Sequence, residues 1–334
     1  MKKKALSLLV AVLVLCGLTL LWCIHHHHAS ASTQLKARFY LNWIYTGSFA
    51  GEVVGVQDFA SQNGIEIQIE PGAQGMDPLK LVGDGDFGIA AADEILGAND
   101  KGADFVIIGV VNDDSPTVFL SLKGSGITTP QDFVGRRVGI LPFGSTGLVY
   151  QALLKKLNID RRKITEVVVS SDLRPFLTAH TNDVQPAFAY DETVTLDDEQ
   201  IAYNTIIPSQ YGVTFKGPCY FTRRSTIEKY PTLVYGFVKT MAEGWAAAIA
   251  NPNHAIDALK KADLHIDEHR ELQVLQRGIP YYASATRRPL ESDPNSWAPM
   301  IDNLASFGVL SSKPEVSSFL DLSFVHRYYA EARQ

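Results

Sequence analysis

Short apolar runs alternate with amphipathic segments from residue 36 to residue 190. The run IEIQIE at 65–70 alternates apolar and polar residues, which is the pattern of a half-buried strand. It follows an apolar-periodic segment that closes at Gly64, a residue type favoured at helix C-termini. The same patterns predict strands at residues 36–43, 65–70, 87–91, 105–111, 117–122, 137–140, 166–169 and 186–190, and helices at 49–63, 77–82, 94–101, 145–157 and 172–180. Strands that alternate with helices predict an α/β fold with a parallel-type sheet covered on both faces.

The last third of the chain has a mostly helical pattern. Helices are predicted at 226–249, 252–261, 267–276 and through much of 296–330. No long linker rich in Ser, Pro or Gly interrupts the chain, so we expect tight crossovers between domains, at 123–126 and at 211–221. Two crossovers predict two lobes, the first made of residues 32–123 and 216–334 and the second of residues 124–215. A ligand would then lie between the lobes, at the carboxyl ends of strands.

The first 31 residues have the pattern of an export signal. Three lysines at 2–4 precede the uncharged residues 5–24, and Ala29-Ser30-Ala31 matches the A-x-A cleavage signature. We predict a signal peptide at 1–31 that is cleaved after Ala31. An uncleaved anchor is the alternative, because an apolar segment of this length can just span a bilayer. The mature protein is therefore expected outside the cytoplasm, in the periplasm or an equivalent space, either soluble or membrane-tethered.

Composition and charge narrow the classes of function. The chain has 334 residues, 46% of them hydrophobic, and a formal charge of -6 from 30 basic and 36 acidic residues. Such an acidic chain is a poor candidate for binding nucleic acid, which requires clustered Lys and Arg. Beyond residue 31 the one cysteine is Cys219, so we expect no internal disulfide.

Two motif matches fail in their context. Residues 83–88 fit G-x-G-x-x-G, but they follow a predicted helix and lead into a strand, whereas a dinucleotide fingerprint follows a strand and opens a helix. Residues 265–269 fit H-x-x-E-H, yet Asp267 is the expected N-cap, which puts His265 outside the helix. We therefore predict no metal site and no cofactor, and no serine has the sequence context of a nucleophile.

A glycine-containing turn, GILPFGST at 139–146, joins a predicted strand to a predicted helix. The turn lacks the lysine of a phosphate-binding loop, so nucleotide hydrolysis is not expected. The backbone N–H groups of Gly144, Ser145 and Thr146 would nonetheless point from the helix N-terminus towards a ligand. Ordinary N-capping by Ser145 is the alternative.

Aromatic and acidic residues follow three of the predicted strands. Trp43 ends the first strand, Glu94 follows the third after Asp93, and Tyr190 and Glu192 lie at the end of the strand PAFAY. Aromatic faces combined with carboxylates suit a flat heterocycle that bears amino groups. The same carboxylates would repel a sulfonate or nitrate ion. Core packing of Trp43, and solvated loops for the two glutamates, are the alternatives.

Several segments in a fixed order carry a family resemblance. They are LNW at 41–43, Asp77-Pro78 before GDGDFGIAAADE, SPTVFLSLKGSGI at 115–127, Gly144 before LVYQALLKK, AYDETVTL at 189–196, Tyr211-Gly212 and GWAAAIANP at 244–252. Over residues 36–290 the chain resembles periplasmic substrate-binding proteins of ABC importers, in the group that binds nitrate, alkanesulfonates and thiamine-pyrimidine precursors. It is most similar to the pyrimidine-precursor branch. The resemblance implies a two-lobed type II periplasmic-binding-protein fold in which each lobe is a mostly parallel sheet flanked by helices.

The resemblance also implies roles for single residues. Trp43 would stack on the ligand ring, and residues 144–146 would present the helix N-terminus of the second lobe. Tyr190 and Glu192 would form the family's aromatic-x-Glu element, in which Glu192 accepts a hydrogen bond from an amino group. Asp191 replaces the Asn that is usual between them.

A related eukaryotic branch synthesises the thiamine pyrimidine. Its Lys and His after the third strand are replaced here by Ala90 and Glu94, and its Cys-rich run corresponds to residues 217–220, which contain one Cys. We therefore expect a receptor and not an enzyme: a monomer that closes on a small amino-heterocycle and delivers it to an ABC permease and its ATPase. The alternatives are a synthase-type enzyme, a sensor that docks on a membrane kinase, and a binder of a sulfonate- or nitrate-type anion or a flavin.

Overall fold

The computed structural model of the chain describes residues 34–73, 75–142 and 144–333. The predicted signal peptide at 1–31 lies outside the described residues, and its cleavage stays a prediction. Within the described ranges, no helix combines the length and the apolar character needed to cross a membrane.

Strands and helices alternate along the first two thirds of the chain, and helices prevail after the last strand. The strands are β1 (Leu35–Tyr40), β2 (Ile65–Glu70), β3 (Phe87–Ala91), β4 (Phe105–Val110), β5 (Thr117–Leu122), β6 (Arg137–Ile140), β7 (Thr165–Val168), β8 (Gln185–Phe188), β9 (Tyr203–Ile206) and β10 (Pro218–Arg223). The α-helices are α1 (Ala50–Val54), α2 (Pro78–Leu81), α3 (Ala92–Asp100), α4 (Thr146–Lys156), α5 (Arg174–Thr178), α6 (Glu192–Asp198), α7 (Arg224–Lys229), α8 (Pro231–Ala250), α9 (Pro252–Ala262), α10 (Glu268–Tyr282), α11 (Ala298–Ser306) and α12 (Ser323–Glu331). The predicted α/β class is confirmed.

The first sheet has the strand order β2-β1-β3-β10-β4. β3 runs parallel to β1, with Phe87 opposite Phe39, whereas β10 runs antiparallel to both of its neighbours. β3 and β4 are apolar and buried along their whole length, as expected for strands covered on both faces. Helix α8 covers one of these faces, where the ring of Phe237 stacks on that of Phe87 with centroids 3.9 Å apart.

The second group of strands is built in a similar way. β5 lies between β8 and β9 and runs antiparallel to both. β6 pairs in parallel with β7, and a parallel bridge from Val138 to Val184 joins β6 to the start of β8. In the first sheet, β10 therefore runs opposite to β1, β3 and β4, which share one direction. In the second group, β5 runs opposite to β6, β7, β8 and β9. The prediction of sheets flanked by helices is confirmed, and the sheets are mixed, because β5 and β10 pair antiparallel with their neighbours.

The chain passes twice between the first sheet and the second group of strands, through residues 111–116 and 207–217, and the two passages touch. Gly217 N donates to Asn112 O at 2.9 Å, and Lys216 Nζ lies 2.8 Å from Asp113 Oδ1. A Cβ on Gly217 would fall 2.7 Å from Asn112 Cβ, so only glycine allows this approach. The lobe boundaries at 123/124 and 215/216 stay predictions, although the pairing of β5 with β8 and β9 favours an earlier first passage.

The structure differs from the sequence prediction at two strands and at one interruption of a helix. β9 and β10 are not predicted, and β10 occupies part of the segment 211–221 that we expected to be a crossover. Its sequence PCYFTR shows no apolar–polar alternation, because neighbouring strands and helices bury most of it. The helix predicted at 226–249 is divided at Tyr230, which leaves the helical conformation because Pro231 follows it.

Candidate functional site

A cavity of about 420 Å³ lies between the strand ends of the two sheets. Its walls come from the segments after β1, β2, β3 and β4 of the first sheet and after β6, β7 and β8 of the second group of strands. All the predicted site residues line it: Trp43, Glu94, Gly144, Ser145, Thr146, Tyr190 and Glu192. The structure thus brings these residues together, while their contact with a ligand stays a prediction.

Trp43 is held on the cavity wall by backbone contacts. It is half-buried and packs against the main hydrophobic core as well as lining the cavity. Gly72 N donates to Trp43 O at 2.9 Å, and a Cβ on Gly72 would fall 2.5 Å from Trp43 N. The close approach of these two segments therefore requires glycine at 72 and fixes the backbone that carries the indole.

The N-terminus of α4 faces the same cavity. Gly144 has a φ of 77°, a left-handed conformation that places the turn just before the helix. Ser145 and Thr146 are buried, and within the described part of the chain the Thr146 hydroxyl has no hydrogen-bond partner. The Ser145 hydroxyl has none of good geometry, although it acts on the carboxyl group of Asp93. Ordinary capping by Ser145 is not observed, since its side chain accepts no hydrogen bond from the helix.

Two acidic residues begin α3 beside that turn. Burial and the charge of Asp93 raise the pKa of Glu94 to about 7, and Glu94 Oε2 accepts from Ala91 N at 3.2 Å. Asp93 is fully buried, which raises its pKa to about 6, while a hydrogen bond from Ser145 acts in the opposite direction. Neither carboxylate oxygen of Asp93 has a partner of good hydrogen-bond geometry among the described residues.

The end of β8 supplies the second pair of predicted residues. Tyr190 is buried, and its hydroxyl accepts from Asn112 Nδ2 at 3.1 Å. Glu192 is the first residue of α6, and its Oε2 accepts from Phe188 N at 2.7 Å. Burial, followed by the charge of Asp191, raises the pKa of Glu192 to about 8. A carboxyl group in this position is protonated at neutral pH, so it can both donate and accept.

Two functional residues were missed by the sequence analysis. Asn112 lines the cavity just beyond β4, and its Oδ1 has no partner among the described residues. The rule that strand ends line the cleft would have found it. Arg270 on α10 pairs with Asp191, and with Glu271 at 2.6 Å. No local signal marks Arg270, because its partner Asp191 is 79 positions away in the sequence.

The ionisable side chains that line the cavity are mainly acidic. The lining includes the carboxyl groups of Asp77, Glu94, Asp191 and Glu192. Lys80 also lines it, but this side chain is 82% exposed and lies 3.3 Å from Asp77. Such a lining favours hydrogen-bond donors on a ligand and disfavours anions.

Metal ligation finds no support in the described ranges, where no three His, Cys, Asp or Glu side chains come together as a metal site requires. Asp267 is the N-cap of α10, as predicted, and accepts from Arg270 N at 3.2 Å. His265 consequently lies outside the helix, and the H-x-x-E-H match has no metalloprotease geometry.

Comparison with known proteins gives a family and a fold. The sequence profile described as NMT1/THI5 like matches residues 49–255. A curated relative from Legionella pneumophila, named 4-amino-5-hydroxymethyl-2-methylpyrimidine phosphate synthase, is 26% identical over 265 residues, which cover 76% of this chain and 82% of the relative.

Solved structures extend the comparison at lower identity. A putative periplasmic sulfonate-binding protein of an ABC transporter from Methylobacillus flagellatus is 16% identical with a TM-score of 0.66, covering 90% of this chain and 96% of its own. The periplasmic nitrate-binding protein of Synechocystis is 9% identical with a TM-score of 0.69, covering 89% of both chains. A desulfurization enzyme is 12% identical with a TM-score of 0.63, covering 89% of this chain and 100% of its own.

The prediction that the chain is not an enzyme is wrong. The curated relative is named as a synthase, and the same fold is found in a desulfurization enzyme.

The sequence profile matches more than half of the chain. The fold shared with periplasmic binding proteins, with its cavity between strand ends, agrees with this match. The chain belongs to the NMT1/THI5-like family and has that family's two-lobed fold.

Proposed function

We propose that the cavity binds an amino-heterocycle of the thiamine-pyrimidine-precursor class. The observation that carries the proposal is the environment of Glu192. Its Oε2 accepts from Phe188 N at 2.7 Å, which leaves Oε1 and the second lone pair of Oε2 for a ligand. The neighbouring Asp191 is already paired with Arg270, so Glu192 is the carboxyl group at this strand end that is available for recognition.

An aminopyrimidine presents an amino donor next to a ring-nitrogen acceptor. A protonated Glu192 matches both groups, because its O–H donates to the ring nitrogen while its carbonyl oxygen accepts from the amino group. Transfer of the proton to the ring gives a charge-assisted pair with the same two hydrogen bonds. Asn112 Oδ1, which has no partner among the described residues, can accept from a further donor, and Trp43 offers an aromatic face for the ring.

Anions and flavins fit this site less well. A sulfonate or nitrate ion would enter a cavity lined by four carboxyl groups, where the cation Lys80 is exposed and paired. A volume of about 420 Å³ lies near the lower end of the range of small-molecule sites and suits a single substituted ring. These features favour a neutral or weakly basic heterocycle.

We further propose that the protein is an extracytoplasmic solute-binding component that works with an ABC permease and its ATPase. The signal pattern at residues 1–31 and the fold shared with periplasmic sulfonate- and nitrate-binding proteins support this role. Synthesis of the pyrimidine is a second candidate function, favoured by the name of the relative from Legionella pneumophila.

Calorimetry with the purified protein tests the ligand class. The panel is 4-amino-5-hydroxymethyl-2-methylpyrimidine, riboflavin, taurine and nitrate. Saturable binding of the aminopyrimidine alone supports the proposal, and tight binding of taurine or nitrate without any heterocycle overturns it. Mass spectrometry of the same samples after incubation shows whether any bound compound is chemically changed, and such a change would favour an enzyme over a receptor.

A further inference from the structure

Helix α10 is anchored to the half of the molecule that contains the first sheet. It packs against the segment after β1, where a Cβ on Gly47 would fall 2.1 Å from Glu271 O, so only glycine allows this approach. Gly47 N also donates to Glu271 Oε2 at 2.5 Å. The next two residues, Ser48 and Phe49, line the cavity. α10 is therefore fixed to one wall of the cavity.

The same helix contacts α6, which follows β8 in the second group of strands. Positions 270, 273 and 277 of α10 share one helix face, because residues three or four positions apart are neighbours on a helix. Each of their side chains bonds to an aspartate in or just before α6: Arg270 to Asp191, Gln273 to Asp198 at 2.9 Å, and Arg277 to Asp197 at 2.6 Å. We call these three contacts the α10–α6 clasp.

A small apolar contact accompanies the clasp. Val274 of α10 forms one buried cluster with Val194 of α6 and with Tyr190. One ion pair of the clasp stays partly open to water, since the side chains of Arg277 and Asp197 are 32% and 44% exposed. Interfaces of this mixed kind between parts of one chain permit relative movement unless they are large and apolar.

The clasp also bears on the ligand site, because α6 begins at Glu192, which lines the cavity. A movement of α6 away from α10 would carry Glu192 away from Ser48 and Phe49. We infer that the α10–α6 clasp holds these two walls of the cavity together before a ligand binds, and that its partly exposed charges make this closure sensitive to salt. The effect on ligand release rests on the proposed function, since it concerns the regulation of the same site.

Closure in the absence of a ligand should strengthen binding. A protein whose binding-competent arrangement is only partly populated has an apparent affinity reduced by that fraction. At an ionic strength of about 1 M the screening length falls to about 3 Å, so the charged contacts of the clasp lose most of their attraction. Neutralising Arg277 alone leaves two contacts and should change the affinity less than about twofold, whereas reversing its charge adds repulsion from Asp197.

The arrangement of the walls can be measured without a ligand. Spin labels on Asp257→Cys, at an exposed position of α9, and on Arg162→Cys, at an exposed position just before β7, give the distance between the two halves by pulsed electron paramagnetic resonance. Cys219 is 0% exposed and should stay unlabelled. We expect one dominant distance at low salt and a second distance at about 1 M salt. Adding Arg277→Asp should populate that second distance at low salt.

Two further variants decide what such a change means. The exchange of Arg277→Asp with Asp197→Arg restores an ion pair with reversed charges and should return the protein to one dominant distance. Arg224→Met breaks a 2.9 Å ion pair with Asp104 outside the clasp and should behave like the wild type. A single unchanged distance at high salt and in Arg277→Asp overturns the inference. The salt measurement needs no substitution in the clasp, so it decides the question even if a variant fails to fold.

The rate of ligand release tests the link between the clasp and the site. In stopped-flow experiments, 4-amino-5-hydroxymethyl-2-methylpyrimidine should leave Arg277→Asp about fivefold faster than the wild type, and the charge-exchanged protein at the wild-type rate. Equal rates in all three proteins would overturn the effect of the clasp on binding. If this pyrimidine does not bind at all, the proposed function fails, while the distance measurement still decides whether the clasp holds the walls together.

Discussion

Arg270 on α10 forms an ion pair with Asp191, the residue between Tyr190 and Glu192. The same guanidinium contacts Glu271 at 2.6 Å, and Glu271 Oε2 in turn accepts from Gly47 N at 2.5 Å. This chain of contacts engages Asp191 Oδ1 in an ion pair, although Asp191 also lines the cavity. The carboxyl group of Glu192 is left to face the cavity with a raised pKa, because burial and the charge of Asp191 outweigh the opposing effect of Arg270.

Replacing Glu192 should weaken the binding of an aminopyrimidine. Glu192→Gln keeps two hydrogen-bonding atoms but cannot transfer a proton to the ring, so we expect a loss of about 1.5–3 kcal/mol for a charge-assisted bond. The wild-type affinity should also fall as pH rises through about 8, where Glu192 loses the shared proton, and the variant should lack this fall. Calorimetry between pH 6 and 9.5 measures both effects.

The control for this variant is Glu199→Gln, an exposed position just after α6. It should bind like the wild type at every pH. If the ligand is an anion, Glu192→Gln should leave its affinity unchanged or increase it, because the variant removes a carboxyl group. A loss below about 0.5 kcal/mol for the aminopyrimidine would show that Glu192 makes no charge-assisted bond.

Replacing Arg270 should move the pH dependence of binding upwards. Arg270→Met removes the cation that lowers the pKa of Glu192 and leaves the charge of Asp191 unpaired, so both changes raise that pKa. The fall in affinity should then begin at a higher pH than in the wild type. We also expect a loss of roughly 1–2 kcal/mol in the free energy of unfolding, between the values for exposed and buried pairs.

Arg277→Met provides the matched comparison on the same helix. Arg277 Nη1 lies 2.6 Å from Asp197 Oδ2, so this variant also breaks an ion pair between α10 and α6 but leaves Asp191 paired. Its pH profile of binding should coincide with that of the wild type. Equal upward shifts in both variants would assign the effect to helix docking instead of to the charge next to Glu192.

Much of the fold follows from local sequence patterns, and the exceptions have physical causes. The predicted strands at 65–70, 87–91, 117–122 and 137–140 agree with β2, β3, β5 and β6 residue by residue. Alternation or a continuous apolar run makes such strands visible in the sequence. β10 escapes this rule because its position between β3 and β4 is decided by long-range pairing, which its mixed sequence does not reveal.

The cavity lining was predictable where a residue lies a few positions after a strand, as with Trp43, Glu94 and Glu192. It was not predictable where a role depends on partners distant in sequence. The ion pair of Asp191 with Arg270 requires α10 to pack against α6, and the influence of Ser145 on Asp93 requires two residues 52 positions apart to come together. Such contacts are set by tertiary packing, which no local pattern encodes.

Ligand binding should change the fluorescence of Trp43. Trp245 and Trp297 are fully buried away from the cavity lining, whereas Trp43 forms part of it. A ring stacked on the indole should alter its emission, and Trp43→Phe should abolish most of that change while weakening binding by about 0.5–1.5 kcal/mol, the range for an aromatic pair. A variant with an undiminished signal and unchanged affinity would mean that Trp43 is a packing residue.

The last prediction concerns Glu52, a buried carboxyl group of the first lobe's core. It lies in α1 and is 0% exposed, and its Oε1 is 2.7 Å from the hydroxyl of Tyr220, which accepts from Trp245 Nε1 at 2.8 Å. Its other oxygen, Oε2, has no partner among the described residues. Burial is the largest effect on this group and raises its pKa from 4.5 to about 8.

A raised pKa in an acid means that the folded state holds a proton that the unfolded state releases. The free energy of unfolding should therefore fall with increasing pH between about 4.5 and 8, by up to about 1.4 kcal/mol per pH unit for this one proton. Glu52→Gln is neutral at every pH and keeps a side chain that can bond to Tyr220. Its stability relative to the wild type should consequently rise steadily from pH 5 to pH 8.

Urea unfolding of the wild type and Glu52→Gln at pH 5, 6, 7 and 8 measures this difference directly. Asp93, Glu94 and Glu192 also have raised pKa values and make the wild-type curve fall, but they are present in both proteins and cancel in the difference. Glu228→Gln, at an exposed position of α7, is the control and should run parallel to the wild type. If Glu52→Gln also runs parallel, Glu52 is ionised in the folded protein at pH 7, and its contact with Tyr220 must then stabilise the charge despite complete burial.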